Sequence, residues 1–451
     1  MSGLGFSKVI KSRFSTTTCA TANAPAKAKE LIPEGYTGAT SNIIAHLNGE
    51  NVYLESADPE RDGLNFPTAV VEIAATNPDF GKVVRLTDTL YVALSNVVDS
   101  ALNSWAITID GTTPTASELA EVNAGDNDSA DLCRLSDTTF AVAYRDNEGD
   151  DYLAARIGTV TITAGVATIA YGTEKELTAA AITEDELSIC EPRSGVLFVS
   201  YADGDDDVAG IAATYSGTTI ADPGTVVEFD TAAPTDMSCC KMEEGIVFVV
   251  WTDVGGSTYA RCATVSAAAA IGTPGTEKAI NAGISTYINA RFVEKDKVIV
   301  GYEDDANDPT AIICTIAAGV VTTISIGTAV AFLTGTVTDV GIDMIDNTQG
   351  IISWDDGTYG QAIRFSVSGT TITADAVIDN YVETAATGGG KGGIACATNG
   401  KCVRVYEDAD NDLAVLVGQY YEDRIIDVRA TGASATATFT VLPIYEYETI
   451  N

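Results

Sequence analysis

Short runs in which apolar positions alternate and end on an aromatic residue recur along most of the chain: FAVAYRD, LFVSYAD, VFVVWTD, VIVGYED, GIISWDD and VRVYED. The aromatics are Tyr144, Tyr201, Trp251, Tyr302, Trp354 and Tyr406, with successive spacings of 57, 50, 51, 52 and 52 residues. Upstream, RLTDTLYVALSN matches RLSDTTFAVAYRD after a one-residue shortening and sets Ser95 opposite Tyr144, 49 residues away, which makes seven units. Self-similarity at a fixed period is the signature of a repeat architecture.

Within a unit the pattern predicts four strands. A first strand (LSICE, MSCCK, INARF, GIACA) leads through a polar turn into the apolar second strand. There Val196, Phe198 and Ser200 alternate with Leu197, Val199 and Tyr201, as suits a sheet covered on both faces. After an Asp/Asn/Gly-rich turn comes a third strand such as YLAARIGTVT or TYARCATVSA, then a fourth such as VATIAYGTEKEL. Gly172-Thr173-Glu174 and Gly275-Thr276-Glu277 fall at the same place in two fourth strands, and Gly224-Thr225 and Gly327-Thr328 in two others. Four antiparallel strands per unit, rich in Thr, Val, Ile and Gly and without a 3.6-residue period, predict an all-β fold, a seven-bladed β-propeller over residues 67–432. Closure into a ring removes the exposed edges that seven separate small sheets would carry. A β-sandwich array or a β-helix is the alternative, although the repeat is longer than a usual β-helix coil.

Two flanks lie outside the repeats. Residues 1–66 read as an extended arm, with Lys8, Lys11, Arg13, Lys27 and Lys29 preceding the first acid, Glu30, for a local charge of +5. Residues 433–451 read as a carboxy-terminal β segment for an interface, with Phe439 and Val441, then Tyr445 and Tyr447, in alternation. One flank, Ala69–Ala75 or Thr438–Ile444, is expected to supply the strand that closes the ring.

Charge narrows the partners. Against 25 Lys+Arg stand 63 Asp+Glu, a formal charge of −38 over 451 residues, which argues against nucleic acid as a partner of the body because phosphate binding needs clustered positive charge. A 46% hydrophobic content supplies a sizeable core. The amino terminus does not read as a secretory signal, and no stretch is apolar and long enough to span a bilayer.

The candidate chemistry is sparse. Asp146, Asp203, Asp253, Asp304, Asp356 and Asp408 each follow a repeat aromatic by two residues, where an aspartate caps a turn by accepting backbone N–H bonds. The alternative is calcium: Asp203, Asp205 and Asp207, and Asp408, Asp410 and Asp412, place carboxylates at alternate positions as hard-cation loops do. With one histidine, His46, and no CxxC pair among nine cysteines, zinc and histidine-dependent catalysis have no support. Cys133, Cys190 and Cys240 recur eleven residues before the blade aromatic and Cys396 ten before Tyr406; with Ala290 and Asp343 at the corresponding place, they read as small buried packing residues with free thiols. A glycosidase needs two carboxylates across one sugar, and nothing singles out such a pair. No catalytic residue and no cofactor are therefore assigned, and the chain does not read as an enzyme.

Units such as FVSYADGDDDVAGIAATYSGTTIADPGTVVEF resemble propeller repeats of large structural proteins of tailed bacteriophages, particularly marine ones, in the VxYxD second strand and the GTV and FGT-like strand ends. The resemblance covers the seven repeats and implies a virion protein: a tail fibre, tail-tip or capsid-decorating subunit made in the host cytoplasm and released by lysis. It would be held to other virion proteins by the arm or the carboxy-terminal segment, with the propeller displayed toward a host glycan or protein, and homo-oligomers are one form it can take. The alternatives are a carbohydrate-binding lectin-like propeller, with shallow repeated sites of an aromatic and a polar partner, and a glycan-cleaving enzyme with one acidic site at the ring axis.

Overall fold

The computed structural model describes residues 63–65, 71–74, 80–96, 101–111, 113–125, 129–147, 151–182, 187–317, 319–357, 360–375, 379–382, 392–408 and 412–421, together with the backbone of strands at 15–19, 26–27, 42–47, 51–56, 426–431 and 437–444. Among these residues there is no helix. Each repeat is one antiparallel sheet, and the seven sheets form a ring: blade 1 at 82–123, blade 2 at 130–181, blade 3 at 187–230, blade 4 at 234–281, blade 5 at 286–331, blade 6 at 338–382 and blade 7 at 393–421 with 63–65 and 71–74. The amino-terminal flank thus closes the ring: Val71–Ala74 lies antiparallel to Leu413–Tyr421, pairing Ala74 with Leu413 and Val71 with Val415.

The predicted strand order holds in each blade, with one elaboration. The fourth strand is broken in two. In blade 2, Val166–Tyr171 pairs with the outer half of Tyr152–Thr163, and Lys175–Ala181 pairs with the other half. Gly172-Thr173-Glu174 is the kink between them, and Gly172 N donates to Ile157 O at 2.9 Å to carry the ladder across it. Gly224, Gly275 and Gly327 do the same on Ala212, Cys262 and Ile313, each at 2.8 Å. The choice of glycine is dictated by the next blade. A Cβ on Gly224 would stand 2.7 Å from Ala269 O, and one on Gly327 would stand 2.5 Å from Thr370 O. Gly172 and Gly275 abut Thr218 O and Val321 O more closely still. In each case the carbonyl belongs to the outer turn of the following blade, so the glycine lets adjacent blades nest backbone to backbone.

The core is distributed around the ring. Seven hydrophobic clusters form, each from two neighbouring blades. Alternate side chains of a second strand therefore face opposite neighbours, which explains why Leu90–Asn96 and Val196–Ala202 are buried at every position. The repeat aromatics Tyr144, Tyr201, Trp251, Tyr302, Trp354 and Tyr406 are buried, each in the cluster shared with the preceding blade.

At the hub, inner strands are fastened to one another by side chains that accept from the next blade's backbone. Asp131 Oδ2 accepts from Ile189 N at 3.1 Å and Ser188 Oγ at 2.8 Å, Ser188 Oγ accepts from Cys239 N at 3.1 Å, and Ser238 Oγ accepts from Ala290 N at 3.0 Å. Asp236 and Asp343 repeat the device on Ile288 N at 2.8 Å and Cys396 N at 2.6 Å. Register also corrects the hub alignment. Opposite Ile299, where Cys133 faces Ala141 and Cys240 faces Phe248, blade 5 carries Arg291 rather than Ala290. Arg291 Nε lies 3.6 Å from Asp343 Oδ1, so two members of this position form a cross-blade ion pair instead of small packing residues. The cysteines are not all free, because Cys396 and Cys402, directly opposite in blade 7, form a disulfide.

The terminal segments make a separate compact unit, 1–63 with 421–451. The two flanks pair with each other: Ser15–Cys19 and Asn42–Leu47 flank Ala437–Ile444, and Ala26–Lys27 and Asn51–Ser56 flank Ile426–Thr431. Lys27 sits in one of these strands, whereas Lys8, Lys11, Arg13 and Lys29 lie outside the described residues.

Candidate functional site

The repeated aspartates belong to turns. Asp203 Oδ1 accepts from Asp205 N at 3.0 Å and Asp207 N at 3.1 Å, Asp253 Oδ1 from Ser257 N at 2.9 Å, and Asp304 Oδ1 from Ala306 N and Asp308 N at 3.0 Å. Asp408 Oδ1 holds Asp412 N at 3.0 Å, while Asp410 lies outside the described residues. In blade 6 Asp355, the residue before Asp356, accepts from Gly357 N at 2.7 Å; Asp146 is buried. Among the described residues no three Asp, Glu, His or Cys side chains converge as a metal site.

A polar constellation does form in two clefts between blades, at equivalent places. In the cleft of blades 1 and 2, Arg156 projects from the third strand of blade 2, its NH2 3.2 Å from Glu174 Oε2 and its NH1 donating to Val122 O of blade 1 at 2.5 Å. Glu174 comes from the kink after Gly172. It accepts from Tyr144 Oη, from Tyr152 Oη at 3.4 Å and from Asn123 Nδ2 at 3.5 Å, the last being the final residue of the outer strand of blade 1. In the cleft of blades 3 and 4 the same positions are Arg261, whose NH2 donates to Glu277 Oε2 at 3.2 Å, with Trp251 in place of Tyr144 and Asp230 in place of Asn123. The Trp251 and Tyr259 rings lie 6.3 Å apart, tilted by 34°. Asp230 hydrogen-bonds Glu277, and burial, reinforced by that neighbouring carboxylate, raises the Glu277 carboxyl above its usual range against the pull of Arg261.

These groups are poised rather than sealed. The Arg156 and Glu174 side chains are 28% and 24% exposed, and those of Arg261 and Glu277 are 26% and 34% exposed. Both arginines keep a buried Nε–H without a partner, as does Trp251 Nε1. Buried donors without partners are rare in folded proteins and call for an acceptor. Register shows that the pair is confined to these two blades: Arg156 and Arg261 face Val142 and Val249, and the residues in the same place of blades 3 and 5 are Ile211 and Ile312. Where those blades have the kink, Glu is replaced by Val226 and Ala329. The glutamates are visible in the sequence as the two GTE kinks, but the arginines escape a reading based on strand ends. Their signal is an arginine in an otherwise apolar third strand, found upstream of each GTE.

The axial channel, where a hydrolase would place its acids, is lined by the inner strands and encloses about 440 Å³. Its carboxylates Asp131, Asp236, Asp339 and Asp343 each hold backbone N–H groups of the following blade.

No family model matches the sequence, and no curated protein matches it. Solved structures do match in fold. The BP39L lectin from Burkholderia pseudomallei superposes with a TM-score of 0.58 at 9% identity, covering 80% of this chain and 99% of that one. The WD40 domain of coronin from Toxoplasma gondii gives 0.46 at 10% identity, over 85% and 90% of the two chains. At 9% identity the likeness to the lectin supports the β-propeller fold alone.

Proposed function

We propose that this propeller is a carbohydrate-binding, non-catalytic module with one glycan site in each of the two Arg–Glu clefts. The observation that carries the reading is the recurrence of one constellation, Arg156 with Glu174 and Arg261 with Glu277, at equivalent places in two blades and nowhere else among the described blades. A sugar presents hydroxyls, which a half-exposed guanidinium and carboxylate bind by charge-assisted hydrogen bonds, and C–H faces, which stack on rings such as Tyr152 and Tyr259. The fold likeness to a protein described as a lectin supports the same reading. Turnover would require a free carboxylate pair, whereas the channel acids are engaged by backbone.

Glycan-array screening followed by titration calorimetry tests this. The wild-type chain is expected to bind two equivalents of its glycan, Arg156→Ala or Arg261→Ala one, and the double variant none. Undiminished binding by the double variant overturns the assignment. The virion setting implied by the repeats would make these clefts contacts to a host surface, with the paired terminal strands as the attachment. Co-assembly of the chain with purified particles tests that part separately.

A further inference from the structure

We infer that the axial channel is a second ligand site, one for a small oxyanion bearing a carboxylate or phosphate group. The chain is strongly acidic, with only 25 Lys and Arg, yet five of these, Lys82, Arg85, Arg134, Lys241 and Arg291, line this one cavity of about 440 Å³. Five acids also line it, so the formal charge of the wall is balanced on a molecule carrying −38.

The two signs are not equally available. The acids are spent on the fold: Asp131, Asp236, Asp339 and Asp343 accept from the next blade's backbone, and Glu191 accepts from Gly195 N at 3.1 Å and from Tyr215 Oη. Among the bases, Arg134 and Lys241 are held by acids of their own hairpin turns, at 2.6 Å from Asp137 and 2.7 Å from Glu244. That leaves three. The Lys82 ammonium lines the cavity and acts on the buried Asp339 carboxyl through its charge, with no hydrogen bond or ion pair to a described residue. Arg85 NH1 is buried with no hydrogen-bond partner and approaches Asp88 only to 3.8 Å. Of the three Arg291 is the most engaged, its NH1 donating to Ala290 O at 2.9 Å and its Nε 3.6 Å from Asp343 Oδ1, so Lys82 and Arg85 are the freest bases of the wall.

All three line the same cavity. Arg85 of blade 1 and Arg291 of blade 5 both pull down the carboxyl of Asp343, and Lys82 acts on Asp339 in the same way, each against burial, which raises both carboxyls. The buried, unpartnered NH1 of Arg85 and the Lys82 ammonium, both on the inner strand of blade 1 and both lining the cavity, are donors for an anion held by charge-assisted hydrogen bonds. The volume admits a multi-atom acid with water.

The full chain is titrated with inorganic phosphate and with citrate, at ionic strength matched by sodium chloride, and followed by calorimetry and thermal melting. A saturable rise in melting temperature with phosphate or citrate, absent with chloride, is expected, and the ion that saturates says which oxyanion the channel takes. Lys82→Met and Arg85→Gln should each weaken that Kd at least tenfold while glycan binding is unchanged. Lys82 supports no fold contact, so its variant stays informative if Arg85→Gln folds poorly. Absence of saturable binding, or an unchanged Kd in Lys82→Met and Arg85→Gln, overturns the inference.

Discussion

Arg404 interrupts the most apolar strand of its blade. Two residues before the blade aromatic, the other units carry Val142, Val199, Val249, Val300 and Ile352, but blade 7 has an arginine whose side chain is 1% exposed. It is paired with the Asp339 carboxylate and donates to Ser353 Oγ and Gly392 O, both at 3.1 Å, and to Asp339 O at 3.2 Å, so it joins blades 6 and 7. Replacing it by methionine keeps the volume and strands a buried carboxylate, and breaking a buried pair from one side costs about 3–5 kcal/mol. The cost should depend on pH. Burial already raises Asp339 from 3.8 to about 6 although Arg404 opposes it. A native pKa above the unfolded one gives stability that is present below about pH 4 and lost as pH rises through about 6, roughly 3 kcal/mol for a shift of about two units. Without Arg404 the native pKa moves higher. At pH 5 Asp339 is then largely protonated in both proteins, whereas at pH 7.5 only the variant must either bury an uncompensated charge or bind a proton that the unfolded chain does not. Urea unfolding followed through the buried Trp105, Trp251 and Trp354 should therefore show a deficit of about 3–5 kcal/mol at pH 7.5 that shrinks at pH 5. Adding Asp339→Asn should recover part of it at pH 7.5. A deficit below about 1 kcal/mol, or one independent of pH and unrelieved by Asp339→Asn, would refute the argument.

The nesting glycines and the closing strand give two more tests. Gly275→Ala drives a Cβ into Val321 O and should lower stability by about 1–3 kcal/mol, whereas Gly217→Ala, at φ +59 with open space around it, should lose only about 1 kcal/mol from backbone strain; equal losses in thermal melts would contradict inter-blade nesting. Deleting residues 1–60 leaves Val71–Ala74 in place, while deleting 1–75 strips blade 7 of that strand. The shorter deletion should leave the ring's unfolding midpoint nearly unchanged and the longer one lower it, as read by circular dichroism; the reverse would show that the ring is closed elsewhere.

The number of blades, their strand order and the positions of the recurring aromatics were legible in the sequence because each depends on local alternation and a constant period. Tyr144 and Trp251 announce themselves by recurrence, and a recurring aromatic at a strand end has to be packed against something that also recurs. The arginines of the two clefts recur only twice and are two residues out of step in raw spacing, since the loop before Arg156 is longer than that before Arg261. Only hydrogen-bond register aligns them, and only the ring brings Asn123 and Asp230 from the preceding blade to complete each site.

Sequence alone thus determined the all-β class, the seven units and the turns built on Asp203, Asp253 and Asp304, all of which follow from interactions a few residues apart. Tertiary structure decided that Val71–Ala74 closes blade 7, that Gly172, Gly224, Gly275 and Gly327 are required by the neighbouring blade, and that Arg291 meets Asp343 and Arg404 meets Asp339. Each of these joins residues more than forty positions apart. Their partners are chosen by the closure of the ring, a global condition that no local pattern encodes.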